Sequence, residues 1–314
     1  MSNTTNWMPR PVIAVFGPTA VGKTDVAVEL ALRLAAEGWG NQPALAVSLD
    51  SIAVYRELPI ISGAPTASQQ QKLEHALVGI RSISESFSAG ECGDLAHRAI
   101  DQAQLDGRPV IAVGGTGLYM RAALSTLELR QPVDPAIRTQ LLNELDKHGA
   151  QALHLRLTQL APETAARIGP LDARRVTRAL ELIASGQAPP LPSKGLWQTP
   201  PRVPTIAVGL IRSDHELKRR IHTRAQQMIE NGVKAELEAA EQAGCSDTAR
   251  AAVGWSEALN SDLEGLSTRT WQLARRQRTW LRKMNGFDTV DITGATGETA
   301  ADLVMKVVCS QAAI

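Results

Sequence analysis

The sequence predicts an α/β protein with a parallel sheet and a helical insertion. Short apolar runs alternate with amphipathic segments in the first part of the chain and return at Thr205. Such runs are typical of parallel strands that are covered on both faces. Between residues 131 and 204 helical patterns follow one another without a strand. We therefore expect residues 1–130 and 205–314 to form the α/β core and residues 131–204 to form the insertion.

The core begins with the strand Val12–Phe16 and a helix that carries Val26, Leu30 and Leu34 at helical spacing. The loop between them has the spacing G-x-x-x-x-G-K-T. Its residues are Gly17, Pro18, Thr19, Ala20, Val21, Gly22, Lys23 and Thr24. Successive N–H groups of such a loop, and the start of the helix after it, face phosphate oxygens. Lys23 adds a positive charge, and the Thr24 hydroxyl can bind Mg²⁺. The pattern predicts phosphate or diphosphate binding; the alternative is a structural glycine turn.

The second apolar run, Ala44–Leu49, is followed by Asp50. Ligands of parallel sheets lie beyond the carboxyl ends of the strands, so Asp50 is expected near the glycine loop. The alternative is a turn or helix N-cap aspartate. Residues 52–66 are expected to form a short helix and a substrate-facing loop. A third strand is expected at His75–Ile80, followed by a helix at Ser88–Gln104.

The fourth strand, Arg108–Gly115, ends in two glycines. An ATPase often carries a metal-binding acid at such a strand end, so the glycines argue against nucleotide hydrolysis. Thr116 opens the next helix. A Gly-Gly-Thr sequence can place a nest of N–H groups and one hydroxyl over a reacting centre. A tight turn with Thr116 as the helix cap is an equally good interpretation.

The insertion is expected to begin with Asp134 as an N-cap before a proline. Its predicted helices are Pro135–His148, Ala150–Leu160, Pro162–Ile168 and Asp172–Ser185, closed by the proline-rich Pro189–Pro192. The last helix holds three arginines in five residues, Arg174, Arg175 and Arg178. Such a run is a solvated face or a binding surface.

After the insertion a strand is expected at Thr205–Ile211, and Ser213 and Glu216 have capping-box spacing. The helix that follows, Asp214–Asn231, places Arg220 and Arg224 on one face. A second helix is expected at Val233–Gln242.

The last long helix is predicted at Ser267–Met284 and carries a basic surface. From Leu266 onward this stretch has six cations and no acid, with Trp271 and Trp280 between them. Cations with interleaved aromatics fit a nucleic-acid backbone and its bases. The alternative is a solvated basic helix with core tryptophans. A strand at Thr289–Ile292 and a helix are expected to close the chain.

Composition gives broader limits. The hydrophobic fraction of 44% and charged fraction of 21% are those of a soluble globular protein, and the net charge is +1. The three cysteines match no metal or disulfide spacing. The stretch Met1–Arg10 is polar, and no apolar run approaches 18 residues. We expect a cytoplasmic protein without a membrane partner.

Six motifs occur in an order and spacing that resemble the bacterial tRNA dimethylallyltransferases, the IPP transferase family. They are Gly17–Thr24, Asp50-Ser51 with Tyr55-Arg56, Gly114–Tyr119, Asp172–Glu181, Val253–Trp255 and Arg275–Arg282. The resemblance extends over almost the whole chain, and the phosphate loop is the most specific of the six.

The resemblance implies a Mg²⁺-dependent enzyme with a P-loop NTPase-like three-layer core and parallel sheet. Its substrates would be dimethylallyl diphosphate and tRNA. The dimethylallyl group would pass to N6 of the adenosine 3′-adjacent to the anticodon, at tRNA position 37, giving N6-isopentenyladenosine and diphosphate. The helical insertion would clasp the anticodon stem-loop, and the protein would be a monomer.

The resemblance also implies roles for individual residues. Asp50 would be the general base, with Thr116 and Lys23 beside the reacting groups. The glycine loop would bind the diphosphate with Arg220 and Arg224, and Thr24 would bind the metal. The implied tRNA contacts are Asp50, Ser51, Ile52, Ala53, Thr116, Arg138, Arg174, Arg175, Val176, Thr177, Arg178, Leu273, Arg275, Arg276, Gln277, Arg278 and Trp280.

The chain departs from the family pattern at three places. Ser62–Thr66 lacks a lysine that is frequent there, Trp255 and Ser256 replace a tyrosine and a basic residue, and Trp271 replaces a frequent arginine. These changes concern tRNA contacts and leave the proposed chemistry unaltered.

Three other functions remain compatible with parts of the sequence. A P-loop small-molecule kinase explains the loop but leaves the basic helix unexplained. An adenylate prenyltransferase acting on free nucleotide needs no helical insertion. A non-enzymatic RNA-binding protein needs neither Lys23 nor Thr24 at this spacing.

Overall fold

The computed structural model describes residues 10–126, 133–189 and 200–312. The chain divides into two compact units, Met1–Leu127 with Pro200–Ile314, and Glu128–Thr199. The boundary expected at residues 130 and 131, residues 1–9 of the polar N-terminal stretch, and the proline run from residue 190 lie outside the described residues. The boundary expected at residue 204 immediately precedes a strand.

The core unit is built on one parallel sheet, as predicted. The strands are β1 (Val12–Phe16), β2 (Leu45–Leu49), β3 (Glu74–Ala76), β4 (Val110–Gly114), β5 (Thr205–Ile211) and β6 (Phe287–Asp291). Their order in the sheet is β3-β2-β4-β1-β5-β6, and every pairing is parallel. The carboxyl ends of β1, β4 and β2 are therefore neighbours at one edge, which is where ligands of such sheets bind.

The helices of both units are numbered along the chain. They are α1 (Lys23–Ala36), α2 (Pro59–Ser62), α3 (Ala67–Lys72), α4 (Ala89–Leu105), α5 (Gly117–Leu124), α6 (Pro135–Leu160), α7 (Pro162–Ala165), α8 (Ala173–Ala184), α9 (Asp214–Glu230), α10 (Val233–Gln242), α11 (Asp247–Arg250), α12 (Trp255–Leu259), α13 (Leu263–Leu281) and α14 (Gly297–Ala312). Helices α6 to α8 form the described part of the insertion. No helix among the described residues is long and apolar enough to cross a membrane.

Helices cover both faces of the sheet, which gives three layers. Side chains alternate along a strand, and Ile13 and Val15 of β1 share a core with Leu30 of α1 and Val304 of α14. Val12, Ala14 and Phe16 are equally buried and face the other way, where α4 and α5 contact β2 and β4.

Several predicted elements of the core have different bounds in the structure: β4 spans Val110–Gly114 rather than Arg108–Gly115, and β6 spans Phe287–Asp291 rather than Thr289–Ile292. The third strand ends at Ala76 rather than Ile80, because Leu77 adopts a positive φ of 65° that strand pairing does not allow. The segment after Asp50 forms turns, and its short helix starts only at Pro59.

The start of two later helices also differs from the prediction. Ser213 caps α9 through the N–H of Glu216, but the Glu216 side chain bonds Arg212 and the N–H of Gly294 instead of returning to Ser213. The expected capping box is therefore only half formed. The basic helix α13 starts at Leu263, capped by Asp262, and ends at Leu281.

The insertion unit has a small core of its own. Asp134 caps α6 by accepting the N–H of Ala136, as its sequence predicts. Gly149, with φ 77° and ψ 167°, interrupts α6 near the boundary predicted between two helices. The core packs one side of α6 against α8 and holds Leu141, Leu153, Leu157, Ala165, Val176, Ala179 and Leu180.

Candidate active site

The phosphate loop between β1 and α1 is shaped as an anion nest. Ala20 and Gly22 have positive φ values of 62° and 105°, which turn successive N–H groups to one side. Within the described residues, the N–H groups of Ala20, Gly22, Lys23 and Thr24 have no acceptor in the protein. The loop therefore presents four free donors at the positive end of a 14-residue helix.

Three arginines that follow β5 donate hydrogen bonds to the loop, and two of them, Arg220 and Arg224, also line the cavity in front of it. Arg212 donates to the carbonyl of Val21 at 2.9 Å, and Arg220 donates to the carbonyl of Ala20 at 2.8 Å. Arg224 donates to the Thr19 hydroxyl at 3.2 Å. The sequence predicted Arg220 and Arg224 but missed Arg212, which lies between the strand and the helix cap. Its carbonyl contacts become visible only in three dimensions.

The Lys23 ammonium is buried and lies near the charged side chains of Arg224 and Asp50. It donates to the carbonyl of Pro18 at 2.9 Å. Burial, and then the positive charge of Arg224, lower the pKa of Lys23 to about 8, although Asp50 opposes this shift. Burial also lowers the pKa of Arg224. Burial and mutual repulsion make the positive charges of Lys23 and Arg224 unfavourable on their own. An anion that enters the site therefore stabilises both charges.

Asp50 follows β2 and serves a local structural role as well as facing the site. Its Oδ1 accepts the N–H of Ile52 at 2.8 Å and that of Ala53 at 3.1 Å. The turn-aspartate interpretation is therefore correct for Oδ1. Both of these bonds use one oxygen, which leaves Oδ2 for another partner.

Thr116 follows β4 and occupies the N-cap position of α5. Its side chain caps no N–H group of that helix. Thr116 therefore occupies the cap position, but its hydroxyl does not form the capping hydrogen bond that the helix-cap interpretation predicts.

One cavity of about 1260 Å³ joins these groups. The phosphate loop, Asp50 and Thr116 all line it. The predicted residues that line this cavity are Thr19, Ala20, Gly22, Lys23, Thr24, Asp50, Ser51, Ile52, Ala53, Thr116, Arg220, Arg224, Leu273 and Gln277. The structure therefore brings residues from the ends of three strands to the same place.

The cavity wall contains a contact that the sequence did not reveal. Glu236 of α10 accepts the N–H groups of Ile60 at 2.7 Å and Ile61 at 2.8 Å, at the start of α2. At its other end α2 is bonded to the site, because the Ser62 carbonyl accepts from Arg224 at 2.9 Å. Burial raises the pKa of Glu236 against the effect of the two N–H groups.

The basic helix α13 presents fewer free cations than its sequence suggested. Arg278 pairs with Asp214, and Arg269 pairs with Glu257 at 2.8 Å. The counter-ions come from other elements, so the lack of acids on α13 concealed them. Arg275 and Arg276 are exposed and have no carboxylate partner among the described residues.

Two other predicted tRNA contacts on α13 differ in exposure. Trp280 is 37% exposed, whereas Gln277 is 8% exposed. The Gln277 amide oxygen accepts the N–H of Thr19 at 2.7 Å, so this side chain is bonded to the loop between β1 and α1.

In the insertion unit four of the residues predicted to contact tRNA are arginines with exposed side chains, and others are buried. Arg174 and Arg175 are exposed on α8. Arg138 and Arg178 lie 4.0 and 2.8 Å from Glu181.

Two of the predicted tRNA contacts on α8 need correction. Val176 is fully buried and Thr177 is 5% exposed. Their side chains face inward because they occupy the apolar side of α8, so the structure does not support side-chain contacts between them and RNA.

Two of the departures from the family pattern, Trp255 and Trp271, have structural roles. Trp271 packs under the Lys218 ammonium at 4.9 Å. Trp255 is 7% exposed and donates its indole N–H to Glu241 at 3.2 Å. Both tryptophans therefore stabilise contacts between helices of the core unit.

The residues at the cavity fit a magnesium ion that is bound mainly through a phosphate ligand. The Thr24 hydroxyl is a hard oxygen donor on the cavity wall. Among the described residues no group of three or more histidine, cysteine or acidic side chains is placed to bind a metal. Mg²⁺ typically needs only one or two protein ligands when phosphates supply the others.

The sheet order and the glycine-containing nest after the central strand β1 define an α/β protein of the P-loop-like class. The family model described as IPP transferase matches residues 53–284. The chain belongs to this family.

Individual relatives agree with this assignment. A protein of Thermobifida fusca named tRNA dimethylallyltransferase is 37% identical over 284 residues, which is 87% of each chain. One of Paenarthrobacter aurescens with the same name is 34% identical over 296 residues, 90% of this chain and 91% of the relative.

Solved structures show the same fold. The full-length tRNA isopentenylpyrophosphate transferase of Bacillus halodurans superposes with a TM-score of 0.64 at 30% identity, covering 96% of this chain and 99% of the other. A eukaryotic dimethylallyltransferase, described as acting on tRNA, superposes with a TM-score of 0.67 at 22% identity over 91% of this chain and 74% of the other. This second likeness concerns the fold.

Proposed function

We propose that this chain transfers the dimethylallyl group from dimethylallyl diphosphate to N6 of the adenosine 3′-adjacent to a tRNA anticodon, position 37. The observation that carries the proposal is the single cavity lined by the phosphate loop, Asp50 and Thr116. An anion nest, a carboxylate and a hydroxyl in one cavity suit a reaction with a diphosphate leaving group and a proton to remove. The names of the relatives point to the same reaction.

The diphosphate binds in the nest. As the C–O bond of the substrate breaks, negative charge grows on the leaving diphosphate. Free N–H groups of the loop, the Lys23 ammonium and the remaining donors of Arg220 and Arg224 stabilise that charge where it develops. Thr24 would hold Mg²⁺, which would supply further positive charge for stabilising the leaving group.

Asp50 accepts the proton. The lone pair of N6 forms the new C–N bond while the diphosphate leaves with the C–O bonding pair, and the nitrogen then carries an excess proton. Asp50 Oδ2 takes this proton, because Oδ1 already accepts two backbone N–H groups. Thr116 is proposed to bind beside the reacting amine, where its uncapped hydroxyl can accept or donate a hydrogen bond.

The RNA binds to exposed cations. Arg275 and Arg276 on α13, and Arg174 and Arg175 on α8, are the proposed phosphate contacts. The target adenosine must leave its stack to reach a cavity of this kind. Trp280 of α13 is the exposed aromatic that can stack on a base.

The chain's family membership and the exposed cations Arg275 and Arg276 on α13 favour this function over a small-molecule kinase. An adenylate prenyltransferase would have no use for an insertion with exposed arginines on α8. We further propose that the protein acts in the cytoplasm as a monomer.

A transfer assay tests the proposal. Labelled dimethylallyl diphosphate and Mg²⁺ are incubated with the protein and unmodified tRNA, with AMP and ATP as parallel acceptors. We expect label on tRNA alone. Label on free nucleotide alone would reassign the acceptor, and consumption of ATP without prenyl transfer would favour the kinase.

A further inference from the structure

Gln277 connects the basic helix to the phosphate loop. It lies on the inner side of α13 and is one of few polar residues that are buried in the core unit, with 8% of its surface exposed. Its Oε1 accepts the N–H of Thr19 at 2.7 Å. Arg275 and Arg276, its neighbours in sequence, are exposed on the other side of the helix.

The other end of the same amide touches the segment that carries Thr116. A β-carbon at Gly115 would lie 2.5 Å from Nε2 of Gln277 and 3.0 Å from the carbonyl oxygen of Gly17. No side chain fits there, so the amide approaches the backbone directly before Thr116. Gln277 thus contacts both the loop proposed to bind the diphosphate and the segment before Thr116, which is proposed to lie beside the acceptor amine.

Two further side chains of α13 contact the core near this point. Trp280, one turn further along, packs against Gly117, and Leu281 packs against Gly209 of β5. Because Gln277 and these contacts belong to the same helix, a displacement of α13 would move the acceptor of the Thr19 N–H group.

We propose that Gln277 is a positioning residue that couples RNA binding on the exposed side of α13 to diphosphate binding in the phosphate loop. This inference rests on the proposed function, which makes RNA and a prenyl diphosphate the two ligands. It assigns Gln277 a role other than the direct tRNA contact that the family resemblance implies. Coupling of this kind is reciprocal, so each ligand changes the affinity of the other by the same factor.

The test compares Gln277→Met with Gln272→Met. Methionine has a similar size but cannot accept the Thr19 N–H, and Gln272 is an exposed glutamine of the same helix. The dissociation constant of inorganic pyrophosphate with Mg²⁺ is measured with and without a saturating anticodon stem-loop RNA. The dissociation constant of the RNA is measured as well.

We expect the RNA to tighten pyrophosphate binding by at least about fivefold in the wild type and in Gln272→Met. In Gln277→Met we expect pyrophosphate binding to weaken by about tenfold and the coupling factor to fall to about 1, while RNA binding alone stays within about twofold. Melting temperatures check that both variants fold.

Gln277→Glu provides a second variant, because its carboxylate can still accept the Thr19 N–H. The added charge weakens pyrophosphate binding in both states, but the coupling factor should remain. Loss of coupling in folded Gln277→Glu would overturn the proposal.

Two further results would overturn it. One is a Gln277→Met variant that loses RNA affinity and keeps wild-type pyrophosphate affinity, since that is the behaviour of a direct contact. The other is a wild type without coupling. Prenyl transfer in the wild type is measured separately: transfer without coupling rejects only the role of Gln277, and coupling without transfer rejects only the proposed reaction.

Discussion

Arg220 donates its Nε to the carbonyl oxygen of Ala20 at 2.8 Å, and Ala20 has a φ of 62°. The left-handed conformation costs a non-glycine residue roughly 1–2 kcal/mol. An arginine bond to the strained peptide therefore helps to maintain the nest before any ligand binds.

Replacing this arginine should weaken the diphosphate site. A hydrogen bond from a charged group is worth about 1.5–3 kcal/mol, so we expect Arg220→Ala to raise the KM for dimethylallyl diphosphate by roughly 10- to 100-fold. The KM for tRNA should change little. Arg98→Ala, which removes an exposed arginine from α4, is the matched control. An unchanged KM in Arg220→Ala would show that the loop keeps its shape without this bond.

Substitutions at Asp50 can separate its two roles. Asparagine keeps an oxygen that accepts the N–H groups of Ile52 and Ala53, but it cannot take a proton at neutral pH. We expect Asp50→Asn to fold and bind tRNA normally while the single-turnover rate falls by about 10²- to 10⁴-fold. Asp50→Ala should show the same rate loss and also melt at a lower temperature. A rate in Asp50→Asn within a few fold of wild type would exclude this residue as the base.

Diphosphate affinity should depend on pH through Lys23. Burial, followed by Arg224, lowers the pKa of Lys23 to about 8 from its ordinary 10.5. A bound diphosphate stabilises the ammonium and raises that pKa, so binding above pH 8 takes up a proton and weakens as pH rises. For folding the sign is opposite: between pH 8 and 10.5 the unfolded chain holds more protons at this lysine, so its contribution to stability grows with pH.

Calorimetry in buffers of different ionisation enthalpy measures the proton uptake on pyrophosphate binding. Pyrophosphate itself titrates, so Lys23→Arg, which keeps its charge throughout this range, supplies the baseline. Equal proton uptake by wild type and Lys23→Arg would contradict the assignment.

The exposed arginines of α13 should account for part of the salt dependence of RNA binding. Arg275→Ala and Arg276→Ala each remove one cation without a protein partner among the described residues. Each should lower the slope of log affinity against log salt by about 0.7–0.9. Arg269→Ala is the comparison, because Arg269 already pairs with Glu257 at 2.8 Å. Equal slopes in all three variants would place the RNA elsewhere.

The parts of the fold that the sequence predicted are those governed by local pattern. The bounds of β1, β5 and α10 agree with the apolar runs and helical spacing that define them. The phosphate loop was recognisable for the same reason, since its glycines, Lys23 and Thr24 are adjacent in sequence.

What the sequence did not reveal depends on contacts between distant residues. Gln277 faces Thr19, and Glu236 binds the N–H groups of Ile60 and Ile61. No local pattern marks these pairs. Arg278 likewise seemed a free cation because its partner, Asp214, lies on another helix.

The most direct test of the proposed reaction uses two anticodon stem-loop RNAs that differ only in the base 3′ to the anticodon. One carries adenosine 3′ to the anticodon, and the other carries inosine, which lacks the N6 amine. In a single turnover with labelled dimethylallyl diphosphate and Mg²⁺, we expect label on the adenosine RNA and none on the inosine RNA. Equal labelling of both RNAs, or of neither, would contradict prenyl transfer to N6 of that adenosine.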